Sequence, residues 1–298
     1  MAVTALELED RAGLGISLML AAWFLFSIVD TGAKWLAVAG LPAFQLAFMR
    51  YFGHFIISIG VIAKGGLSMD RFQTTHKWQV LSRALLLSSA TLSNFYLLRF
   101  VPLTVASALM FTSPIIVCFL SIWFLKEKVG PWRIFAILLG FIGVLIVVRP
   151  FGEVFHPAML MVIYNATALA LYSIMTRRLS GIVAVDTQQF YMGALGTIIM
   201  FPFAVLTWQS PESALGWMIL ISLGVLGWGG HQFLTNAHRF GTANTLMPYT
   251  YSFMIYVAIW GYLLFGDVPD RWTIIGSLVI VGSGLIIWKR ERDQAPNR

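Results

Sequence analysis

Ten runs of mainly apolar residues follow one another along this 298-residue chain, at about 13–35, 42–63, 78–98, 103–125, 131–149, 157–178, 186–207, 214–237, 242–265 and 270–288. Each is near the ~20 residues that let a helix cross the hydrocarbon of a bilayer with all its backbone groups satisfied internally. The connections are short, and the longest, around 64–77, has no room for a soluble domain. Composition agrees: 58% of residues are hydrophobic and 11% charged, against about 25% charged in a soluble domain. The chain is therefore read as an integral membrane protein. A soluble enzyme, a disordered chain and a disulfide-stapled secreted domain are excluded. The single Cys118 excludes an internal disulfide, a Cys-based metal site and CxxC redox chemistry, and no metal or cofactor is expected. Glu7, Glu9 and Asp10 are the wrong charge for the start of a cleaved signal, so the first apolar run is read as a retained span.

Ten spans put both termini on one side. Of the twenty Lys and Arg residues, fourteen fall on that side, including Lys64, Lys77, Lys126, Lys128 and Lys289. Four (Lys34, Arg99, Arg149 and Arg271) fall on the other, and Arg50 and Arg83 lie within spans. Basic residues stay in the cytoplasm, so both termini are expected there, in the inner (plasma) membrane of a bacterium. The net charge of +7 is explained by this bias. No nucleic-acid partner is expected, because no basic face is left for phosphates.

The chain repeats itself. Arg99-Phe100 recurs as Arg239-Phe240, and at the same offset Glu127 matches Asp267, Trp132 matches Trp272 and Leu138 matches Leu278. Leu25-Phe26-Ser27-Ile28 resembles Leu171-Tyr172-Ser173-Ile174 at a slightly larger offset. We read residues 1–150 and 151–298 as two five-helix repeats. An odd number of spans per half makes the second half enter from the opposite face. The expected fold is thus all-α, with ten transmembrane helices arranged as two inverted-topology five-helix repeats around a central cavity, an architecture of transporters.

Within each half, a fourth span carries a Pro (Ser113-Pro114; Pro248-Tyr249). An acidic corner follows (Leu125-Lys126-Glu127-Lys128; Phe265-Gly266-Asp267), and then a Gly-bearing last helix (Gly140, Gly143; Gly276, Gly282, Gly284). Over about 275 residues this resembles the EamA type of the drug/metabolite transporter superfamily, and within it the YddG-like exporters of aromatic and other neutral amino acids. The family's second-half acid is usually Glu, where this chain has Asp267. The resemblance implies export of small metabolites; the residues themselves set no direction.

Ionisable groups within spans are functional candidates, because lipid exposure is expensive. Asp30 and Lys34 are four apart and can pair. With Trp23 and Ser27 they form a polar-aromatic stripe, read either as a cavity wall or as a pair that only holds the helix end. Arg50 and His54 are also four apart; Arg50 can neutralise Asp30 or bind a carboxylate, and His54 can bind substrate, titrate or simply pack. Arg83, five residues into its span, reads as a snorkelling side chain, and Asn94 as helix-helix glue or a ligand. The second half offers Asn165, Tyr172, Trp228, His231, Gln232 and Tyr249, each with packing as the alternative. Pro114 and Pro248 free backbone carbonyls that need a buried or wet setting. Glu127 and Asp267 lie on opposite faces and are read as capping or pairing with Lys126, Lys128 or Arg271.

The leading reading is a secondary transporter working by alternating access. Its partners are a small-molecule substrate, membrane lipids and, through Asp30, His54 or His231, protons; it is expected as a monomer or weak homo-oligomer. Trp23, Ser27, Asp30, Arg50, His54, Asn94, Asn165, Tyr172, Trp228, His231, Gln232 and Tyr249 form the candidate substrate site. Alternatives are transport of a sugar, nucleotide sugar or drug-like compound, or an intramembrane lipid-modifying enzyme. The scattered His residues and the lack of a phosphate loop argue against catalysis and ATP-driven pumping.

Overall fold

A computed structural model describes residues 12–64, 73–113, 115–116, 120, 131–149, 155–179, 182–240 and 246–294. Among the described residues there are ten α-helices: α1 (Ala12–Val38), α2 (Ala43–Lys64), α3 (Lys77–Leu97), α4 (Leu103–Met110), α5 (Pro131–Val148), α6 (Ala158–Leu179), α7 (Val185–Leu206), α8 (Ala214–Phe240), α9 (Ser252–Phe265) and α10 (Arg271–Gln294). Five of them (α1, α2, α6, α7 and α8) are long and apolar enough to cross a membrane by length and composition. The outward residues are apolar: Ile198, Leu206, Met218, Tyr262 and Leu278 are among the most exposed. Polar side chains turn inward, with Gln45, His54, Ser58, Arg83, Thr91, Asn165, Gln188 and Gln189 all buried. A polar interior inside an apolar shell is the arrangement a lipid solvent selects. It also explains α3, whose Arg83, Ser88, Thr91 and Ser93 dilute its hydropathy but face the protein.

The inversion can be followed through contacts at one face, here the distal face. Lys34, late in α1, pairs with Asp267 after α9. Arg99, after α3, donates to the Ala37 carbonyl (2.8 Å). Gln45, at the start of α2, exchanges two hydrogen bonds with the backbone of Gln209 after α7 (2.7 and 2.9 Å). Arg149, after α5, meets Asp270 just before α10 (2.7 Å). Odd-numbered helices therefore end, and even-numbered helices begin, at this face. α1 starts at the other, terminal face, whereas its counterpart α6 starts at the distal face. The helix contacts follow the same two-fold: α1–α8 mirrors α6–α3, α2–α8 mirrors α7–α3, α1–α9 mirrors α6–α4, and α2–α7, α4–α9 and α5–α10 each pair a helix with its own counterpart.

Close packing at two of these crossings requires glycine. A Cβ on Gly53 of α2 would lie 2.9 Å from the Gly224 Cα of α8, and a Cβ on Gly276 of α10 would lie 2.8 Å from the Gly143 carbonyl of α5. No side chain can move aside there, because the obstacle is backbone.

Both fourth spans leave α-geometry. α4 gives way to a turn at Phe111–Thr112, and Pro114 itself lies outside the described residues. In the ninth span, a 3-10 segment, Met247–Tyr251, carries Pro248 and leads into α9. The two irregular segments meet, with the Phe111 and Tyr251 rings 4.9 Å apart. Glu127, Lys126 and Lys128 also lie outside the described residues.

Two expected pairings are corrected. Asp30 does not pair with Lys34: the ammonium reaches instead to Asp267 (2.5 Å) and lies over the Phe265 ring. Asp267 accordingly meets Lys34 rather than Arg271, because the α9–α10 corner folds over the end of α1. The neighbouring Asp270 caps α10, accepting from the Thr273 N–H (2.8 Å). Burial pushes its carboxyl up, but the Thr273 hydrogen bonds and the Arg149 guanidinium together hold it below the usual carboxylate value.

Leucine at Gly53 is expected to lower stability by about 1–3 kcal/mol or more, the range for overpacking a tight site, and to be seen as a fall in melting temperature on size exclusion of the detergent-purified protein. Leucine at Gly60, where a Cβ would meet nothing within 4 Å, is expected to leave it unchanged.

Candidate substrate-binding site

Polar spacing along α2 builds the centre of the molecule. Arg50, His54 and Ser58 are four residues apart, so they line one helix face over about 12 Å at 1.5 Å per residue. α3 runs antiparallel beside it and presents Asn94, Thr91 and Arg83 at descending levels. α8 makes room: a Cβ on Gly227 would meet the Arg50 side chain (3.2 Å), and one on Gly230 would meet the Phe26 ring (2.6 Å).

The layer nearest the distal face joins three helices. Asn94 Nδ2 donates to the Asp30 carboxylate (3.2 Å). With the Asn165 amide nitrogen turned towards α3, it donates to Ser93 Oγ (3.0 Å), and the amide oxygen accepts from the Asn94 N–H (3.3 Å). Asp30, Asn94 and Asn165 thus form one chain across α1, α3 and α6.

Arg50 lies one layer down, close enough to Asp30 for their charges to interact. Its Nη1 donates to Thr91 Oγ1 (2.6 Å), which also bonds the Tyr51 hydroxyl (2.8 Å). The guanidinium lies over the rings of Tyr51 and Phe95, 5.7 and 5.8 Å from their centroids. Below it, the rings of His54 and His231 are 5.9 Å apart, and His231 packs edge-on to Phe26 (5.0 Å).

Nearer the terminal face, α2, α7 and α8 flank a narrow cleft, without room for a water molecule, lined by Ser58, Val61, Asp186, Gln189, Trp228 and Gln232. Ser58 Oγ, Gln189 Oε1 and Trp228 Nε1 are buried there without a hydrogen-bond partner. Buried polar atoms are almost always satisfied, so these three mark a place where polar ligand atoms would find partners once the helices part.

The structure brings together most of the residues singled out from sequence. Asp30, Asn94 and Asn165 form the first layer, Arg50 the second, and His54 and His231 the third; Trp228 and Gln232 line the cleft. Tyr172 is reached through Arg83. Three residues have other duties. Trp23 packs between Phe26 and Phe253 (5.7 and 5.5 Å) and donates to the Met19 sulfur. Ser27 donates to the Phe24 carbonyl and accepts from Trp260 Nε1. Tyr249 lies exposed on the 3-10 segment, and among the described residues no hydrogen bond or ring contact joins it to the cluster.

Sequence reasoning missed Thr91, Tyr51, Ser58 and Gln189 as participants, and misread Arg83. Ser58 was findable, at the four-residue spacing that continues Arg50 and His54. Arg83 does not snorkel. It is 4% exposed, donates from Nε to Thr176 Oγ1 and from Nη2 to the Tyr172 hydroxyl (both 2.6 Å), and stacks on the Tyr172 ring.

Known proteins carry the same architecture. The EamA-like transporter family model matches twice, over residues 13–149 and 156–289. The S-adenosylmethionine uptake transporter of Rickettsia conorii is 28% identical over 93% of this chain and 94% of its own length. The riboflavin transporter of Vibrio cholerae is 28% identical over the same shares. The pseudopaline exporter CntI of Pseudomonas aeruginosa is 28% identical over 90% of this chain and 93% of its own. A solved crystal structure superposes with a TM-score of 0.65 at 16% identity, covering 96% of this chain and 99% of that one, which supports the fold alone. These relatives move different small molecules, in both directions by their names, so the narrower likeness to amino-acid exporters does not follow from the match. The chain is a membrane transporter of small metabolites, not an enzyme, and it belongs to the EamA-like transporter family.

Proposed function

We propose that this protein is a secondary transporter of the bacterial inner membrane that carries neutral and aromatic amino acids, and zwitterions like them, by alternating access, with both termini in the cytoplasm. The observation that carries this reading is the juxtaposition of Asp30 and Arg50 inside the helix core, each hydrogen-bonded to neutral partners, Asn94 and Thr91. An ammonium group suits the carboxylate and a carboxylate suits the guanidinium, and in a water-poor interior such charge-assisted bonds are strong. Trp228, which lines the cleft, is an aromatic neighbour for an apolar side chain once the cleft opens. We assign export as the physiological direction, with net flux set by the substrate gradient.

A second reading is favoured by the relatives' names. S-adenosylmethionine bears the same α-amino and α-carboxylate groups, so a larger amino-acid derivative would use the same two charges. The cleft has no room for a water molecule, whereas ordinary small-molecule pockets hold ~300–1,000 Å³. The halves must therefore part to admit either substrate. The ties across the distal face, Lys34–Asp267 and Gln45–Gln209, each join one half to the other. With the cleft lying towards the terminal face, this corresponds to a state closed on the periplasmic side.

Counterflow into proteoliposomes separates the readings. Labelled phenylalanine is expected to accumulate saturably, and Asp30→Asn and Arg50→Gln are each expected to cut it about tenfold or more, in line with the ~1.5–3 kcal/mol of a hydrogen bond to a charged group. Exchange of S-adenosylmethionine or riboflavin without any of phenylalanine or leucine would replace the amino-acid reading. The distal tie has its own test. In a Cys118→Ser background, a cysteine placed at Leu41 is expected to be labelled several-fold faster by an impermeant maleimide once Lys34→Met is added. The swap Lys34→Asp with Asp267→Lys is expected to slow it again; no change in labelling would mean that the pair does not hold that face.

A further inference from the structure

Arg83 is the buried charge that the Asp30–Arg50 arrangement leaves over. Its side chain is fixed on three sides: Nε by Thr176, Nη2 by Tyr172, and one face of the guanidinium by the Tyr172 ring, 4.3 Å away. Nη1 is buried without a hydrogen-bond partner. No carboxylate among the described residues forms an ion pair with it. Asp30 is drawn to Arg50 and Asn94, and Lys34 already holds Asp267. Charges placed inside proteins are ordinarily paired, because an unpaired one costs far more than its neutral neighbours return. A guanidinium that is rigidly held, enclosed, and short of both a counter-ion and one acceptor has the form of an anion receptor.

Its position gives the receptor a use. Arg83 is eight residues from Thr91 on α3, about 12 Å along the helix at 1.5 Å per residue, and so is displaced from Arg50 towards the terminal face. It lies within electrostatic reach of both His54 and His231. Tyr172, which holds it, packs with Tyr51, whose hydroxyl shares Thr91 with Arg50. The two guanidiniums are therefore linked by one run of aromatic and hydroxyl side chains.

We propose that Arg83, oriented by Tyr172 and Thr176, is a second carboxylate-binding station on the substrate path, between Arg50 and the terminal face, which restricts transport to molecules bearing a carboxylate. This rests on the transport reading above and deepens it. A substrate carboxylate leaving Arg50 passes the polar layer of His54 and His231 and is handed to another fixed cation, whereas an amine or amide with the same side chain meets an unmatched positive charge.

The test uses purified full-length protein in neutral detergent, in an Arg50→Gln background so that one core guanidinium remains. Benzoate is expected to raise the melting temperature saturably, while isosteric benzamide does not. Inorganic phosphate, which carries the charge of a lipid headgroup without the planar carboxylate, is expected to do no more than salt. Adding Arg83→Gln is expected to weaken benzoate binding about tenfold or more. Arg83→Lys, which keeps the charge and loses the fork, is expected to fall between, and it carries the test alone should the glutamine variant not fold. A benzoate effect that survives loss of Arg83, an equal response to benzamide, or stabilisation by phosphate as strong as by benzoate overturns the proposal. In liposomes, wild-type protein is expected to move phenylalanine and exclude phenylalaninamide. Absence of phenylalanine flux alongside an Arg83-dependent benzoate response would discard the amino-acid reading and keep the carboxylate station.

Discussion

A guanidinium group in the interior of a bilayer protein must be enclosed and supplied with acceptors, and much of the helix packing follows from doing this twice. Insertion of an arginine at mid-membrane costs about 2.5–3.5 kcal/mol even with snorkelling available. Neither Arg50 nor Arg83 uses that escape. α8 gives up side-chain volume at Gly227 to admit the Arg50 stem, and α3 supplies Thr91 as its acceptor. α6 supplies Tyr172 and Thr176 for Arg83. Arg83 thus ties α3 to α6 of the other half, while Arg50 ties α2 to α3 within the first half and packs against α8 of the second, and the same contacts that make the charges tolerable hold the core in register.

The architecture was legible in the sequence because the bilayer imposes a length on each helix, and charge bias and an internal repeat restrict how the helices can be threaded. The described helices fall on the ten expected spans, and the expected breaks beside the prolines of the fourth and ninth spans are seen at Phe111–Thr112 and Met247–Tyr251. Partner choice was much less legible. Asp30 and Lys34 share a helix face, and spacing alone pairs them, but the α9–α10 corner brings Asp267 to Lys34, and α3 brings Asn94 to Asp30. A tertiary contact displaced a local one, and no periodicity reveals that. Arg83 was misread for a related reason. Five residues from a helix end is a position from which an arginine can reach water, and whether it turns out or in depends on the neighbour. Here the neighbour is Tyr172, a site residue whose partner the sequence did not identify.

The pseudo-symmetry gives these differences a shape. If Leu25–Ile28 aligns with Leu171–Ile174, then Tyr172 and Thr176 of α6 stand where Phe26 and Asp30 stand on α1. Both positions meet α3, Asp30 at Asn94 and Thr176 with Tyr172 at Arg83, although the two-fold that relates α1 to α6 relates α3 to α8, so the two contacts are not symmetry mates. One repeat has kept a carboxylate there and the other a pair of hydroxyls. Among the described residues the core charges do not follow the helix two-fold: Arg50 on α2 and Arg83 on α3 both belong to the first half, and Asp30 is the carboxylate beside Arg50.

That imbalance bears on how the halves can move. In an inverted repeat, the conformation of one half in the inward-facing state is the template for the other half in the outward-facing state. The α1–α9 contact, which carries Lys34–Asp267 and Ser27–Trp260 at and below the distal face, has α6–α4 as its counterpart. Closing the terminal face by the symmetric motion would draw α4 and α6 together in the same way, next to Arg83 rather than next to Asp30. A carboxylate seated on Arg83 neutralises the surplus charge in the half of the pathway that has to close, and so lowers the cost of excluding water there. On the proposal of a carboxylate station at Arg83, the substrate's own charge would make the two ends of an asymmetric core electrostatically alike.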